Sequence, residues 1–268
     1  MTLLFLFIFG LFIGSFLNVL IDRIPRDESF TKGRSYCESC KKNLHFFDLI
    51  PVASFIFLKG KCRYCRTSLS LYYPLVEIVT GVMFMLAVFN LSFNIYGLKF
   101  ISVINLLFLL FIISSLIIIF FTDLKYGIIP DKILIPLIIV SFAFVIQDIL
   151  WIPHHLSAGG RDDILLNVVS GLAAFFFFLF LYLTTKGRGM GFGDVKLAFF
   201  MGLFLGFPKI IFALYVAFLT GALVSIILVL RGKKRFRGGT VPFGPFLVLG
   251  TVAGFVWGEQ FLKLFGFK

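Results

Sequence analysis

Residues 100–123 read FISVINLLFLLFIISSLIIIFFTD, and this stretch decides what kind of protein the chain is. No charge occurs from Phe100 to Thr122, and a helix of about 20 apolar residues crosses the hydrocarbon core of a bilayer. The run meets its first charge, Asp123, where such a helix would leave the membrane. Similar runs recur along the chain. Spans expected at 2–21, 74–92, 100–121, 132–150, 163–185, 195–207, 209–230 and 243–264 make an all-α polytopic membrane protein of about eight transmembrane helices. The sixth is short and bears glycine, which makes it the weakest crossing. Composition agrees: of 268 residues, 60% are hydrophobic, 14% are charged and 39 are Phe. A soluble domain carries about a quarter charged residues, so this apolar surplus does not fit one soluble core. The first apolar run lacks a basic flank and a small-residue cleavage site, so 2–21 is expected to be a retained helix rather than a signal peptide.

Charge sets the orientation. The formal net charge is +12, and lysine and arginine gather on one side of the expected spans. Ten lie after the first helix, two flank the connection at Lys125 and Lys132, three follow the fifth helix at Lys186, Arg188 and Lys196, and five run from Arg231 to Arg237. These twenty face only five on the other side: Lys99, Arg161, Lys209, Lys263 and Lys268. The positive-inside rule puts the twenty in the cytosol and both termini outside, in a cytoplasmic membrane. The same bias accounts for the basic balance, so the lipid bilayer is the expected partner and nucleic-acid binding is not required. Arg231–Arg237 reads as a topology signal that also meets anionic lipid.

The three expected parts are therefore a first helix (1–21), a soluble domain in the first loop (22–73) and a membrane domain (74–268). The soluble domain is too small to hold itself together by a core alone. Its four cysteines form two C-x-x-C knuckles, Cys37-Glu-Ser-Cys40 and Cys62-Arg-Tyr-Cys65, 21 residues apart. Each knuckle can offer two thiolates to one ion, and two complete a four-sulfur tetrahedral shell, which predicts a structural zinc in a small zinc-ribbon-like domain. Lys41, Lys61 and Arg63 beside the ligands favour thiolates. Free thiols, a redox pair and an iron–sulfur site are the other readings. A disulfide framework needs an oxidising compartment, which the orientation denies.

Two acids stand apart from the rest. Asp123 closes the 100–121 span, and Asp194 opens another in Gly189-Met-Gly191-Phe-Gly193-Asp194-Val-Lys196. Acids at such depths are costly and face the protein interior or a water-filled cavity. The glycines before Asp194 allow close backbone approach, so that an extended substrate can lie near the acid. Gly127-Ile-Ile-Pro130-Asp131 predicts a turn after Asp123, with Asp131 as N-cap of the next helix. Two carboxyls within hydrogen-bond reach share a proton; the ionised one can activate water and the protonated one can polarise a carbonyl. Residue chemistry alone leaves three uses open: this catalytic pair, helix capping or lysine pairing such as Asp123 with Lys125, and an ion-coupling site in a transporter.

Other features weigh less. Gly10 and Gly14 read as a helix-packing pair. His154 and His155 lack a third ligand. Glu77, at the mouth of the second helix, either supports the soluble domain or serves a second site.

The motifs together resemble the bacterial type IV prepilin peptidases, the prepilin leader peptidase/N-methyltransferases of the G-x-G-D intramembrane aspartic protease class. The resemblance runs over nearly the whole chain. It is carried by Gly14-Ser-Phe-Leu-Asn18-Val with Arg23 and Pro25, the first knuckle, and Asp48-Leu-Ile-Pro51-Val. It continues through Leu58-Lys-Gly60-Lys-Cys62-Arg, Tyr73-Pro-Leu-Val-Glu77, Asp123 through Asp131 and Gly189 through Lys196. It implies that Asp123 and Asp194 are catalytic and cut the basic leader from prepilin or pseudopilin precursors of pilus, secretion or competence systems. It implies a second reaction, methylation of the new amino terminus from S-adenosylmethionine, and ties the cysteine domain and Gly60 to it. No methyl-donor motif stands in the residues themselves, so a peptidase without methyl transfer is the near alternative. Lys196 fits the family pattern and either tunes Asp194 or meets lipid phosphate.

Overall fold

The computed structural model describes residues 2–30, 33–90, 100–151, 162–231 and 242–264. Eight long helices lie within them at the expected places: α1 (Thr2–Arg23), α3 (Tyr72–Asn90), α4 (Phe100–Tyr126), α5 (Asp131–Trp151), α6 (Asp162–Thr184), α7 (Phe192–Leu205), α8 (Lys209–Leu230) and α9 (Gly244–Leu264). A short helix, α2 (Ala53–Phe57), lies in the loop after α1. No strand forms among the described residues, so the fold is all-α. Among the described residues, four segments are long and apolar enough to cross a membrane by length and composition, Leu3–Arg26, Val103–Tyr126, Leu165–Thr184 and Lys209–Leu230. His154, His155, Lys32 and residues 232–237 of the basic loop lie outside the described residues.

The chain divides into two compact units, Met1–Ile118 and Ile119–Lys268. In the first, α1 packs along α3. The contact is close because small residues line it: a Cβ on Gly10 would stand 2.7 Å from the Gly81 Cα, and one on Gly14 2.7 Å from the Glu77 Cα. The expected packing role of Gly10 and Gly14 holds, and dispersion across such seams supplies what apolar lipid cannot. The four-cysteine domain fills the loop between α1 and α3.

In the second unit the short α7 is the centre. Val195, Leu197, Ala198, Phe200, Met201 and Leu203 are fully buried, enclosed by α5, α6 and α9. Gly202 meets Gly171 of α6 backbone to backbone, and Gly250 of α9 meets Ala213 of α8. Large apolar side chains such as Phe176, Phe180, Ile226 and Leu230 point outward instead, as an apolar solvent permits. Hydroxyls inside the helices turn back on their own carbonyls: Ser141 donates to Leu137, Ser170 to Leu166 and Thr251 to Leu247. This satisfies a polar group where no water is at hand.

Two boundaries differ from expectation in ways that matter. Asp123 does not end α4. The helix runs one further turn to Tyr126 and stops at Gly127, whose φ of +69° suits glycine and whose amide donates to the Asp123 carbonyl at 2.8 Å. Asp131 is not the cap of α5 either. The Pro130 carbonyl already accepts from the Leu134 amide at 3.0 Å, so Pro130 caps and Asp131 occupies the first turn.

Candidate functional site

The turn at Gly127 sends the chain back beside Asp123, and this puts Ile129 against two glycines. A Cβ on Gly193 would meet the Ile129 Cβ at 2.8 Å, and one on Gly244 would meet the Ile129 Cδ1 at 3.1 Å. Three distant segments therefore converge within the second unit: the end of α4, the start of α7 and the start of α9. Of the three glycines preceding Asp194, Gly193 is the one with no room for a side chain: a Cβ on Gly189 would meet the Thr185 Cγ2 at 3.3 Å, and one on Gly191 meets nothing closer than 3.7 Å. The close approach expected here is filled by Ile129.

Asp123 and Asp194, 71 positions apart, are both buried, and their carboxyl groups lie close enough to interact electrostatically. Each is held by one amide at a helix start. The Asp194 Oδ2 accepts from the Gly191 amide at 3.0 Å, the third residue of α7 reaching back to its N-cap. The Asp123 Oδ2 accepts from the Gly244 amide at 3.0 Å, the first of α9. Helix N-termini favour negative charge, so two dipoles point at this pair. No lysine or arginine among the described residues pairs with either acid. Two buried oxygens at the site lack partners, Asp194 Oδ1 and Thr122 Oγ1. Unpaired buried oxygens are costly and await a donor such as water or a substrate amide.

Gly244 is the residue that sequence reasoning missed. Its signal was present: Pro242-Phe-Gly244-Pro245 before an apolar run marks a helix start. Lys196 is also resolved. Its Nζ meets the Asp131 Oδ1 at 2.6 Å and ties the start of α7 to the start of α5.

The four cysteines of the first unit also converge, with all four Sγ atoms within 4.8 Å of one another. The two knuckles repeat each other at an offset of 25 residues. Cys37 and Cys62 amides donate to Lys42 and Thr67 carbonyls at 3.0 and 2.9 Å, and Lys41 and Arg66 take matching positive φ of 56° and 55°. The Cys37–Cys65 Sγ separation is 3.8 Å. A tetrahedral shell with metal–sulfur bonds of about 2.3 Å has edges of about 3.8 Å, so the thiols fit a zinc-sized ion. Thr67, through its hydroxyl and amide, favours the Cys65 thiolate, while desolvation and the Cys65 and Cys37 thiols beside it push the Cys40 thiol the other way, as expected of four sulfurs sharing one negative charge. Arg63 does not serve the thiolates as expected. Its Nε pairs with the buried Asp48 carboxylate at 2.6 Å.

Gly60 shapes a turn. It ends α2 with φ +67°, its amide donating to the Phe55 carbonyl at 2.8 Å, and a Cβ there would press on the Phe55 ring at 3.1 Å. Glu77 is buried, and its Oε2 accepts from the Val52 amide of the four-cysteine domain at 2.8 Å.

Residues 8–91 match the model of the bacterial peptidase A24 N-terminal domain, and residues 110–226 match that of the type IV leader peptidase family. Among curated relatives, a prepilin leader peptidase/N-methyltransferase of Bacillus subtilis (strain 168) is 32% identical over 97% of this chain and 96% of its own length. Proteins of the same name are 30% identical in Burkholderia pseudomallei (strain 1026b), over 99% of this chain and 89% of theirs, and in Neisseria gonorrhoeae, over 93% and 87%. No solved structure matches the chain.

Proposed function

Because the chain belongs to the prepilin leader peptidase/N-methyltransferase family, we propose that it cuts the basic leader from prepilin-like precursors and methylates the new amino terminus. Cleavage is assigned to Asp123 and Asp194. The observation that carries this is the convergence of two buried carboxyls within electrostatic reach of each other, each held by one amide at a helix start, with no cation paired to either among the described residues. Such a pair holds one proton between its members. The ionised acid takes a proton from water as that water attacks the scissile carbonyl, and the protonated acid donates to the carbonyl oxygen; the first acid then passes its proton to the leaving amine nitrogen as the C–N bond breaks, and the second recovers its own from the gem-diol hydroxyl as the carbonyl re-forms. The Gly191 and Gly244 amides orient the two carboxyls, and the orphaned Asp194 Oδ1 is placed to receive a donor. The eight helices cross a bacterial inner membrane, with the acids and the four-cysteine domain on the basic, cytosolic side, where a basic leader also resides. A transporter would pair its buried acids with an ion path; the match over the full length of named peptidases favours hydrolysis.

Cys37, Cys40, Cys62 and Cys65 hold a structural zinc. All four ligand positions are then sulfur, which leaves no open site for catalysis at the metal. Methylation draws its methyl group from S-adenosylmethionine. Gly60 serves that reaction by shape, since its left-handed turn sets Phe55 and the second knuckle.

The direct test is incubation of the purified protein, in detergent, with a precursor carrying a basic leader. A product shortened at the leader junction is expected; a precursor left intact under conditions where the protein stays folded would overturn the reading. The glycines offer a finer test. Gly193→Ala must displace Ile129, an overpacking that costs about 1–3 kcal/mol and shifts the chain beside Asp194, so cleavage should fall more than tenfold. Gly191→Ala keeps the amide, and its Cβ meets nothing closer than the Asp194 Oδ2 at 3.7 Å, an ordinary contact; its stability should change by no more than about 1 kcal/mol and its cleavage should survive. Equal losses in the two variants would contradict the steric account of this motif.

A further inference from the structure

Within the first unit, a cavity of about 400 Å³ lies between the four-cysteine domain and the adjoining ends of α1 and α3. That volume is in the range of small-molecule sites. Asn18, Asp48, Phe55, Arg63, Tyr73 and Glu77 are among its walls. Most of the polar groups there are already engaged. Asp48 accepts from the His45 amide at 3.1 Å and from Arg63.

Two groups are not settled in this way. Glu77 is 8% exposed in an otherwise apolar helix. Its partners among the described residues are the Val52 amide and the Ser15 hydroxyl, neither of them a cation. Asn18 is 6% exposed. Its Nδ2 donates to the Tyr73 carbonyl at 3.1 Å, but its Oδ1 is buried without a partner. Tyr73 and Glu77 stand one turn apart on α3, and Gly14 and Asn18 one turn apart on α1, so both groups face the seam where the two helices meet. The buried carboxylate lacks a cation and the buried carbonyl lacks a donor, and an organic cation whose charge polarises its own N–H or C–H groups supplies both. Val52, which holds Glu77, adds weight. It is β-branched yet sits at φ 59°, ψ −49°, a strained turn of the kind kept where function needs it.

We infer that this cavity is the methyl donor's site, with Glu77 and Asn18 receiving the cationic centre of S-adenosylmethionine and Phe55 and Tyr73 walling its adenine. The inference rests on the methyl-transfer half of the proposed function. The shared chemistry is a compact organic cation, which has two sources in this reaction: the sulfonium donor and the ammonium of the freshly cut substrate.

Equilibrium dialysis of tritiated S-adenosylmethionine against the full chain in detergent separates them. Glu77→Gln keeps an acceptor for the Val52 amide but loses the charge. It should weaken donor binding at least tenfold, weaken S-adenosylhomocysteine less because its sulfur is neutral, and leave the KM for a pre-cut peptide unchanged. Asn18→Leu should also weaken the donor. Ser54→Phe, which adds bulk to the cavity wall from α2 and leaves the Glu77 and Asn18 side chains themselves unchanged, should block binding while zinc content and leader cleavage remain. Donor affinity within twofold of wild type in Glu77→Gln and Ser54→Phe would overturn the assignment. So would a Glu77→Gln protein that binds the donor normally but shows a raised KM for the peptide amine. A wild type that cuts leaders but neither binds nor transfers methyl groups would overturn the methyltransferase reading as well; one that methylates while the variants bind normally would overturn only the cavity.

Discussion

Asp123→Asn and Asp194→Asn should each reduce leader cleavage by at least about 10³-fold, the scale of positioned acid–base catalysis. Asparagine is the informative replacement. Its side-chain carbonyl can still accept from the Gly244 or Gly191 amide, so the hydrogen bonds that hold the two helix starts survive. What is lost is the proton that the pair exchanges with water and substrate. The double variant should be no worse than either single one, because the two acids act as one unit and their losses do not add. Zinc content and methylation of a pre-cut peptide should match wild type, since the cysteines and the proposed donor cavity belong to the other unit. Cleavage above a tenth of the wild-type rate in either variant would remove the paired-carboxyl mechanism.

Cys37→Ser should act on the opposite half of the chemistry. Between α1 and α3 the described residues form two short helical turns, the five-residue α2 and two isolated β-bridges, too little to order themselves by burial. A four-sulfur zinc shell contributes about 10–16 kcal/mol of apparent binding free energy in small domains at neutral pH, so losing a ligand should release the metal and loosen the fold. Metal analysis should fall from one zinc per chain to below a tenth. Limited proteolysis should cut between the knuckles, and methyl transfer should drop more than tenfold. Leader cleavage should stay within a few-fold of wild type, because Asp123, Asp194 and the amides that hold them all lie in Ile119–Lys268. A full zinc complement in the variant would refute the metal assignment; unchanged methylation would separate the domain from that reaction.

The helices were legible because an apolar run with a charge at its end has few alternatives in a bilayer. Each expected span lies within three residues of an observed helix edge, apart from α4, whose last turn continues to Tyr126. The edges that misled were those where a polar residue mimics a stop. Asp123 looked terminal because charge usually leaves the membrane, yet Gly127 sets the real end. Asp131 looked like a cap because aspartate often is one, yet the Pro130 carbonyl was already in place. The knuckles were legible for a local reason: two cysteines three apart can reach one ion whatever surrounds them.

The candidate site was only half legible. The motifs marked Asp123 and Asp194, but a carboxyl's partner is a matter of distance, and 71 intervening positions carry no distance. Gly244 escaped because its contribution is a backbone amide, which every residue but proline possesses. Lys196 left two readings open, and its ion pair with Asp131 spans 65 positions. The cavity beside Glu77 and Asn18 had no sequence signature, since neither residue type is unusual and only burial makes them so.

Sequence alone thus determined the all-helical membrane class, the orientation expected from basic residues, the four thiols and the two acids. These follow from short-range chemistry: hydropathy over twenty residues, ligand spacing over three, charge at a helix end. Tertiary structure decided what meets what. It brought Asp123 beside Asp194, set the first amide of α9 on the Asp123 carboxyl, closed the four sulfurs to metal-binding distance and left the Asn18 carbonyl unpartnered. Those outcomes depend on how glycines and side-chain volumes let helices approach, which is a property of pairs of surfaces and is written in no single stretch of the chain.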